Sequence, residues 1–122
     1  MAPPADEVGD QLAAWGKVAR IETRGRHSGR RAVAAVGFVE EPDGSLLVAA
    51  GSPEADWARN LEAHARCLVT IGGQPSRMVA TPLGSVEAGR AVVRLILKYG
   101  TPAERLGAGP AFRLRRLAEG SR

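Results

Sequence analysis

Thr23-Arg24-Gly25-Arg26-His27-Ser28-Gly29-Arg30-Arg31 separates two segments that both read as β-strands. Residues 18–24 alternate, with Ala19, Ile21 and Thr23 on one face and Arg20, Glu22 and Arg24 on the other. That is the period of a strand with one buried side. Residues 31–41 are apolar on both faces, which predicts a central strand. Between them Gly25 and Gly29 permit positive φ and let a ligand approach the backbone. Two strands joined this closely make the chain mainly β with antiparallel pairing.

Working outward, Pro42-Asp43-Gly44 is a turn signal, and residues 45–50 return as an antiparallel partner. Ser52-Pro53-Glu54 then reads as a helix start: a hydroxyl N-cap, proline at the first helical position and acid in the first turn. This helix is expected to reach about residue 65. Residues 67–72 and 77–83 read as two more strands joined by Gly73-Gln74-Pro75-Ser76. Residues 86–99 form the clearest amphipathic helix, with Val86, Val93, Ile96 and Leu97 assigned to the apolar side and Glu87, Arg90, Arg94 and Lys98 to the polar one. A short helix over 6–16 with Val8, Leu12 and Trp15 on one face precedes the first strand, and residues 110–117 add a final strand. The organisation is one domain over residues 1–122: five strands around one helix, with flanking helices and the late strand.

At 122 residues with 44% apolar composition, the chain can bury a core of its own. No apolar stretch approaches the ~20 residues of a membrane span. The N-terminus carries Asp6 and Glu7 where a secretory signal would carry Lys or Arg, so a cytoplasmic location is expected. The formal charge of +4 is mostly arginine, with five Arg from Arg20 to Arg31 and a second group near the C-terminus. Arginine suits bidentate recognition of phosphate and carboxylate. Nucleic-acid binding ranks last, because it usually needs stacking aromatics along a basic face and the chain has two Phe, two Trp and one Tyr.

Several chemistries lack their residues. His27 and His64 stand far apart and the single cysteine, Cys67, heads a strand, so no metal cluster is expected. Ser28 beside His27 lacks the Gly-x-Ser-x-Gly setting of a hydrolase nucleophile. No Gly-x-Gly-x-x-Gly opens a helix after a strand. What remains is the turn, where Arg26, Ser28, Arg30 and Arg31 offer donors to an anion or merely form a solvated surface. The helix poses the same choice: Trp57 and Asn60, three apart, share a face. A buried Asn must be bonded, to a ligand or as a clamp on backbone.

In order along the chain, Thr23-Arg24-Gly25-Arg26-His27-Ser28-Gly29, a hairpin through Gly44, Ala50-Gly51-Ser52 and Trp57-Ala58-Arg59-Asn60-Leu61 resemble the deazaflavin-dependent nitroreductase family. The resemblance covers about residues 21–73. It implies a split β-barrel of the FMN-binding type and an oxidoreductase that takes hydride from the reduced 8-hydroxy-5-deazaflavin coenzyme F420 to a small conjugated acceptor such as an enone, quinone or nitro compound. It also implies site residues: Arg26, His27, Ser28 and Arg31 on the coenzyme's phosphate and carboxylate tail, Ala49, Ala50 and Gly51 along the ring, and Trp57 and Asn60 fixing the far side. No catalytic residue is implied, because the hydride comes from the coenzyme ring. His27 stands where the family carries Lys, which makes that contact titratable. FMN in the same fold, or a binder of cofactor or lipid without turnover, are the alternatives, and a homodimer through exposed strands fits the same architecture.

Overall fold

The computed structural model describes residues 16–100 and 109–117. The helix expected over 6–16 lies outside them except for Gly16. In chain order the elements are β1 (Ala19–Arg24), β2 (Arg31–Val36), β3 (Val39–Glu40), β4 (Leu46–Ala49), α1 (Asp56–Ala63), β5 (Arg66–Ile71), β6 (Gln74–Pro82), α2 (Ser85–Tyr99) and β7 (Ala111–Arg116). All seven strands join one antiparallel sheet in the order β2-β1-β5-β6-β7-β4-β3. The sheet curls into a half-barrel, the split-barrel class expected from the sequence.

Two cores hold it. Ile21, Val48, Val69, Phe112 and Leu114 face the inside of the curl with Ala58 and Leu61 of α1. On the opposite face, Ala91 and Leu95 of α2 pack on Val39, Leu47, Ala49 and Ala111. Complete burial of a side chain such as Ile21, Leu95 or Phe112 stabilises by about 1.5–3 kcal/mol. β4 explains its own composition: Leu46 and Val48 enter the first core and Leu47 and Ala49 the second, so Leu-Leu-Val-Ala has no solvent face. The C-terminal β7 lies between β6 and β4, in the middle of the sheet.

Four expectations change. The single strand expected over 31–41 is broken, and its parts, β2 and β3, form the two opposite edges of the sheet. The break falls at Gly37-Phe38, where α2 intervenes: a Cβ on Gly37 would stand 3.0 Å from the Tyr99 ring, and the Phe38 N–H donates to the Tyr99 hydroxyl at 3.0 Å. That hydroxyl donates in turn to the Lys17 carbonyl at 2.7 Å. Second, α1 starts at Asp56 rather than at Pro53, because Ser52 spends its hydroxyl on a local turn, accepting the Glu54 N–H at 3.0 Å. Third, the β5–β6 reversal is made by Gly72 and Gly73, with φ of 56° and 81°, and Gln74 already pairs with Ile71. Two consecutive positive φ values define the tight hairpin turn whose twist suits antiparallel strands. Fourth, α2 turns Val86, Val93 and Leu97 outward, each more than half exposed.

A polar cluster locks the β3–β4 hairpin to α2 and β7. Glu41 accepts from Arg94 and, at 3.3 Å, from Arg113, which also donates to the Ser45 hydroxyl at 3.2 Å. The hydrogen bond from Arg94, reinforced by Arg113, holds the Glu41 carboxyl below its ordinary value of 4.5 despite its partial burial. A depressed folded-state value contributes stability above the unfolded value and loses it as pH falls through the folded one. The acid limb of a thermal stability profile should therefore be flatter in Glu41→Gln than in the parent, with the two proteins differing most near pH 7. Because Arg94 is 41% exposed at its side chain, the difference should be small, within about 1 kcal/mol.

Candidate functional site

The β1–β2 loop is built by its own backbone. Arg24 pairs with Arg31, and above that rung the Gly25 N–H donates to the Arg30 carbonyl at 2.7 Å. The Gly29 N–H donates to the Gly25 carbonyl at 2.9 Å, and the Ser28 hydroxyl accepts the Arg30 N–H at 3.0 Å. Both glycines are required. Gly29 has φ +73°, and a Cβ on Gly25 would meet the Ser28 hydroxyl at 2.9 Å. The loop thereby spends the amides of Gly25, Gly29 and Arg30 internally, while those of His27 and Ser28 find no acceptor among the described residues. His27, Ser28 and Arg30 are exposed around them. The loop tip is a rigid, positively biased group of donors.

Behind the loop, α1 holds it in place. Asn60 is buried, at 3% exposure, and both ends of its amide are hydrogen-bonded. Its Oδ1 accepts the Arg26 N–H at 3.1 Å and the Arg26 guanidinium at 2.8 Å, and its Nδ2 donates to the Thr23 hydroxyl at 3.1 Å. Arg26 also donates to the Asp56 carboxylate at 3.1 Å. Of the two readings left open by the sequence, the clamp on backbone is the one present. Arg26 is aimed at α1 instead of outward, and Asn60 reaches the tip only through it.

The other expected residues sit apart from the tip. Arg31 faces the outer side of the sheet, paired to Glu22 at 3.3 Å, in a cleft of about 440 Å³ that it shares with Arg24, Arg66 and Arg77. Ala49 turns its side chain into the core against α2. Ala50 is buried in the first core and Gly51 is exposed just after it. Trp57 is half-buried against that core, its ring 6.1 Å from Phe112. Cys67 is inert as a nucleophile, since burial pushes its thiol up to about 11.

Three residues that sequence reasoning passed over complete the geometry. Thr23 was assigned only to the inward face of a strand, yet it anchors Asn60. Asp56, in the first turn of α1, grips Arg26. Gly109 lies against the loop after β4: a Cβ there would be 2.6 Å from the Ser52 carbonyl oxygen and 2.7 Å from that of Ala50, while the Pro110 carbonyl accepts the Ala50 N–H at 2.8 Å. Contacts across 30 residues or more leave no local signal to read.

The profile of the F420H(2)-dependent quinone reductase family matches residues 4–104, a span that takes in the loop, the clamp, the post-β4 loop and α2. The chain belongs to this family. Among solved structures, an F420-H2 dependent reductase (FDR-A) superposes with a TM-score of 0.68 at 22% identity, covering 81% of this chain and 94% of the other. HutZ, the heme storage protein from Vibrio cholerae, superposes at 0.65 with 20% identity over 93% of this chain and 89% of its own. A chain described as a domain-swapped dimer gives 0.66 and 21% identity, covering 93% and 100%. These likenesses establish the split-barrel fold. No curated protein matches the chain by sequence.

Family membership makes the reduced deazaflavin F420 the coenzyme and oxidoreduction the class of activity. The donor set at the loop tip fits such a coenzyme's anionic end. Two free amides, a hydroxyl and exposed Arg30 and His27 surround a backbone held open by two glycines. No group of His, Cys, Asp or Glu among the described residues is placed to hold a metal.

Proposed function

We propose that this chain of the F420H(2)-dependent quinone reductase family transfers hydride from reduced F420 to a small quinone. The loop tip holds the coenzyme's phosphate, and the Ala50-Gly51 loop borders its ring. The observation that carries the reading is the pairing of an Asn60 clamp with free His27 and Ser28 amides. The clamp supplies a preorganised anion cradle, and preorganised donors cost no reordering when the anion arrives.

When bound, the deazaflavin supplies the hydride from its own ring. The protein's part is binding, orientation and exclusion of water. His27 and Ser28 offer amide N–H groups to the phosphate, and Arg30 offers its guanidinium beside them. Arg26 and Asn60 act one step behind, fixing where those amides point. Arg31, with Arg24 in the adjacent outer cleft, attracts the carboxylates of the tail. Ala49 and Ala50 keep the post-β4 loop small and close to the core, so that a flat ring can lie along Gly51 and Trp57. The homodimer expected through exposed strands would have to leave the outer face of β2 clear, because Arg31 lies on that face beside Val33.

Mixing the protein anaerobically with F420H2 and menadione tests the reading. The account expects the oxidised deazaflavin chromophore to reappear at a protein-dependent rate that saturates with quinone. No acceleration over the coenzyme alone, with binding intact, would leave a carrier in place of an enzyme.

A further inference from the structure

The two edges of the sheet are unequal. β3 is two residues long and carries Val39 beneath α2. β2 is six residues long, runs in unbroken register with β1 and contains no Lys, Pro, Gly or bulge. Native edge strands are normally blunted by such devices, because unpaired N–H and C=O groups invite another strand. The one charge of β2, Arg31, is drawn to Glu22 on the outer face. Apart from three side chains of α2, Val33 at 45% is the only exposed large apolar side chain among the described residues.

The loop before β2 fixes which backbone groups stand open. Its Gly25 N–H donates to the Arg30 carbonyl, so the Gly25–Arg30 rung is a hydrogen-bonded one. Alternate rungs of an antiparallel pair share that character, which turns Ala32, Ala34 and Val36 toward Thr23, Ile21 and Ala19 of β1. The N–H and C=O groups of Arg31, Val33 and Ala35 therefore point away from β1. They find no hydrogen-bond partner among the described residues.

We infer that a second copy of this chain pairs with β2 edge to edge, antiparallel, with a two-fold axis at Val33. The segment is its own complement in that register. Val33 packs against the partner's Val33, a β-branched cross-strand pair, and Arg31 stands opposite the partner's Ala35. Three hydrogen-bonded rungs form, using every open group of β2 in about six N–H···O=C bonds. The two Arg31 residues lie four positions apart along the ladder, about 13 Å, so like charges are not opposed. Sliding the register by one hydrogen-bonded step either way gives up a rung, and one of the two slides halves the separation of the arginines. Pairing at the edge keeps the outer face clear. It ends at Arg31, so the His27 and Ser28 amides lie beyond it, and the inference is independent of the hydride reading. Six residues a side bury well under the ~1,600 Å² of a standard stable complex, which makes the association weak and concentration-dependent.

Cysteine cross-linking of the full chain tests the register. In Val33→Cys the two introduced thiols face each other on a rung whose Cα atoms are about 5.5 Å apart, within disulfide reach. In Ala35→Cys, on the same face, they are about 13 Å apart and out of reach. The native Cys67 is buried and serves neither. With oxidised glutathione as the oxidant, Val33→Cys should form covalent dimer about tenfold faster or more than Ala35→Cys, since only its thiols are within reach. Sedimentation velocity of the parent should show a dimer that grows with protein concentration. Val33→Lys should abolish it by setting two ammonium groups opposite each other, with the melting temperature of dilute protein unchanged because Val33 lies outside both cores. A parent that stays monomeric at every concentration overturns the inference. So do equal cross-linking rates, which would mark random collision, and a dimer that survives Val33→Lys, which would place the contact on another surface.

Discussion

Asn60→Ala is expected to cost the protein both stability and coenzyme affinity, the largest combined effect of any single polar substitution at the site. The amide satisfies the Thr23 hydroxyl and the Arg26 N–H and steadies the Arg26 guanidinium. Truncation strands the first two, at about 2–4 kcal/mol in total, since the loop side can recover some hydration. For a chain of this size that lowers the melting temperature by roughly 10 °C or more. Asn60→Asp separates the roles. A carboxylate still accepts from the Arg26 amide and guanidinium, and the Thr23 hydroxyl can turn to donate to it. Coenzyme affinity should therefore survive much better in Asn60→Asp than in Asn60→Ala. Equal loss in both would mean that the neutral amide itself meets the ligand.

Gly109→Ala should be the most damaging of the glycine substitutions. Its Cβ would stand 2.6 Å, 2.7 Å and 2.8 Å from the Ser52 oxygen, the Ala50 oxygen and the Ser52 carbonyl carbon. All three are backbone atoms and cannot swing aside as a side chain would. The post-β4 loop must move, with an overpacking penalty of about 1–3 kcal/mol, and the ring-binding edge moves with it. Coenzyme affinity should fall along with the melting temperature. Gly89→Ala is the control: a Cβ there meets nothing within 4 Å in the middle of α2. That change should raise stability by about 0.5–1 kcal/mol through helix propensity and leave the coenzyme untouched.

How far the sequence could be read depends on how local each cause is. The alternation in residues 18–24 fixed β1 because one side of a strand sees the core and the other sees water. The same logic misread residues 31–41, where apolar character on both faces came from two different neighbours: the inside of the curl touches Ala34 and Val36, while α2 covers Val39. The interruption at Gly37 is caused by Tyr99, more than 60 residues away. Helix α2 was recognised from its period, but a helix with aliphatic side chains all round does not declare which face is buried. Val86, Val93 and Leu97 were assigned to the core and Ala91 and Leu95 hold that place.

The site shows the same division. The glycine-bounded turn and the Trp57–Asn60 pair were visible as motifs, and the argument that a buried Asn must be bonded left two partners open. Geometry supplied the answer: Asn60 holds the turn rather than facing away from it. Arg26, the most obvious cation in the motif, is consequently occupied by Asn60 and Asp56, and the outward donors are the less conspicuous amides of His27 and Ser28. Composition cannot reveal unspent backbone amides, because they depend on which hydrogen bonds the loop closes for itself.

The central claim is that the β1–β2 loop tip, held by Asn60, is an anion cradle for F420. Equilibrium titration of the purified protein with F420, with FMN in parallel, tests it most directly when repeated on Ser28→Pro, which removes one of the two free tip amides together with the hydroxyl that accepts the Arg30 N–H, and on Ser28→Ala, which removes the hydroxyl alone. The account predicts saturable F420 binding tighter than that of FMN, and an affinity at least about tenfold weaker in the proline variant, as expected for a lost charge-assisted hydrogen bond. Equal affinity in parent and proline variant, or a preference for FMN, would contradict it.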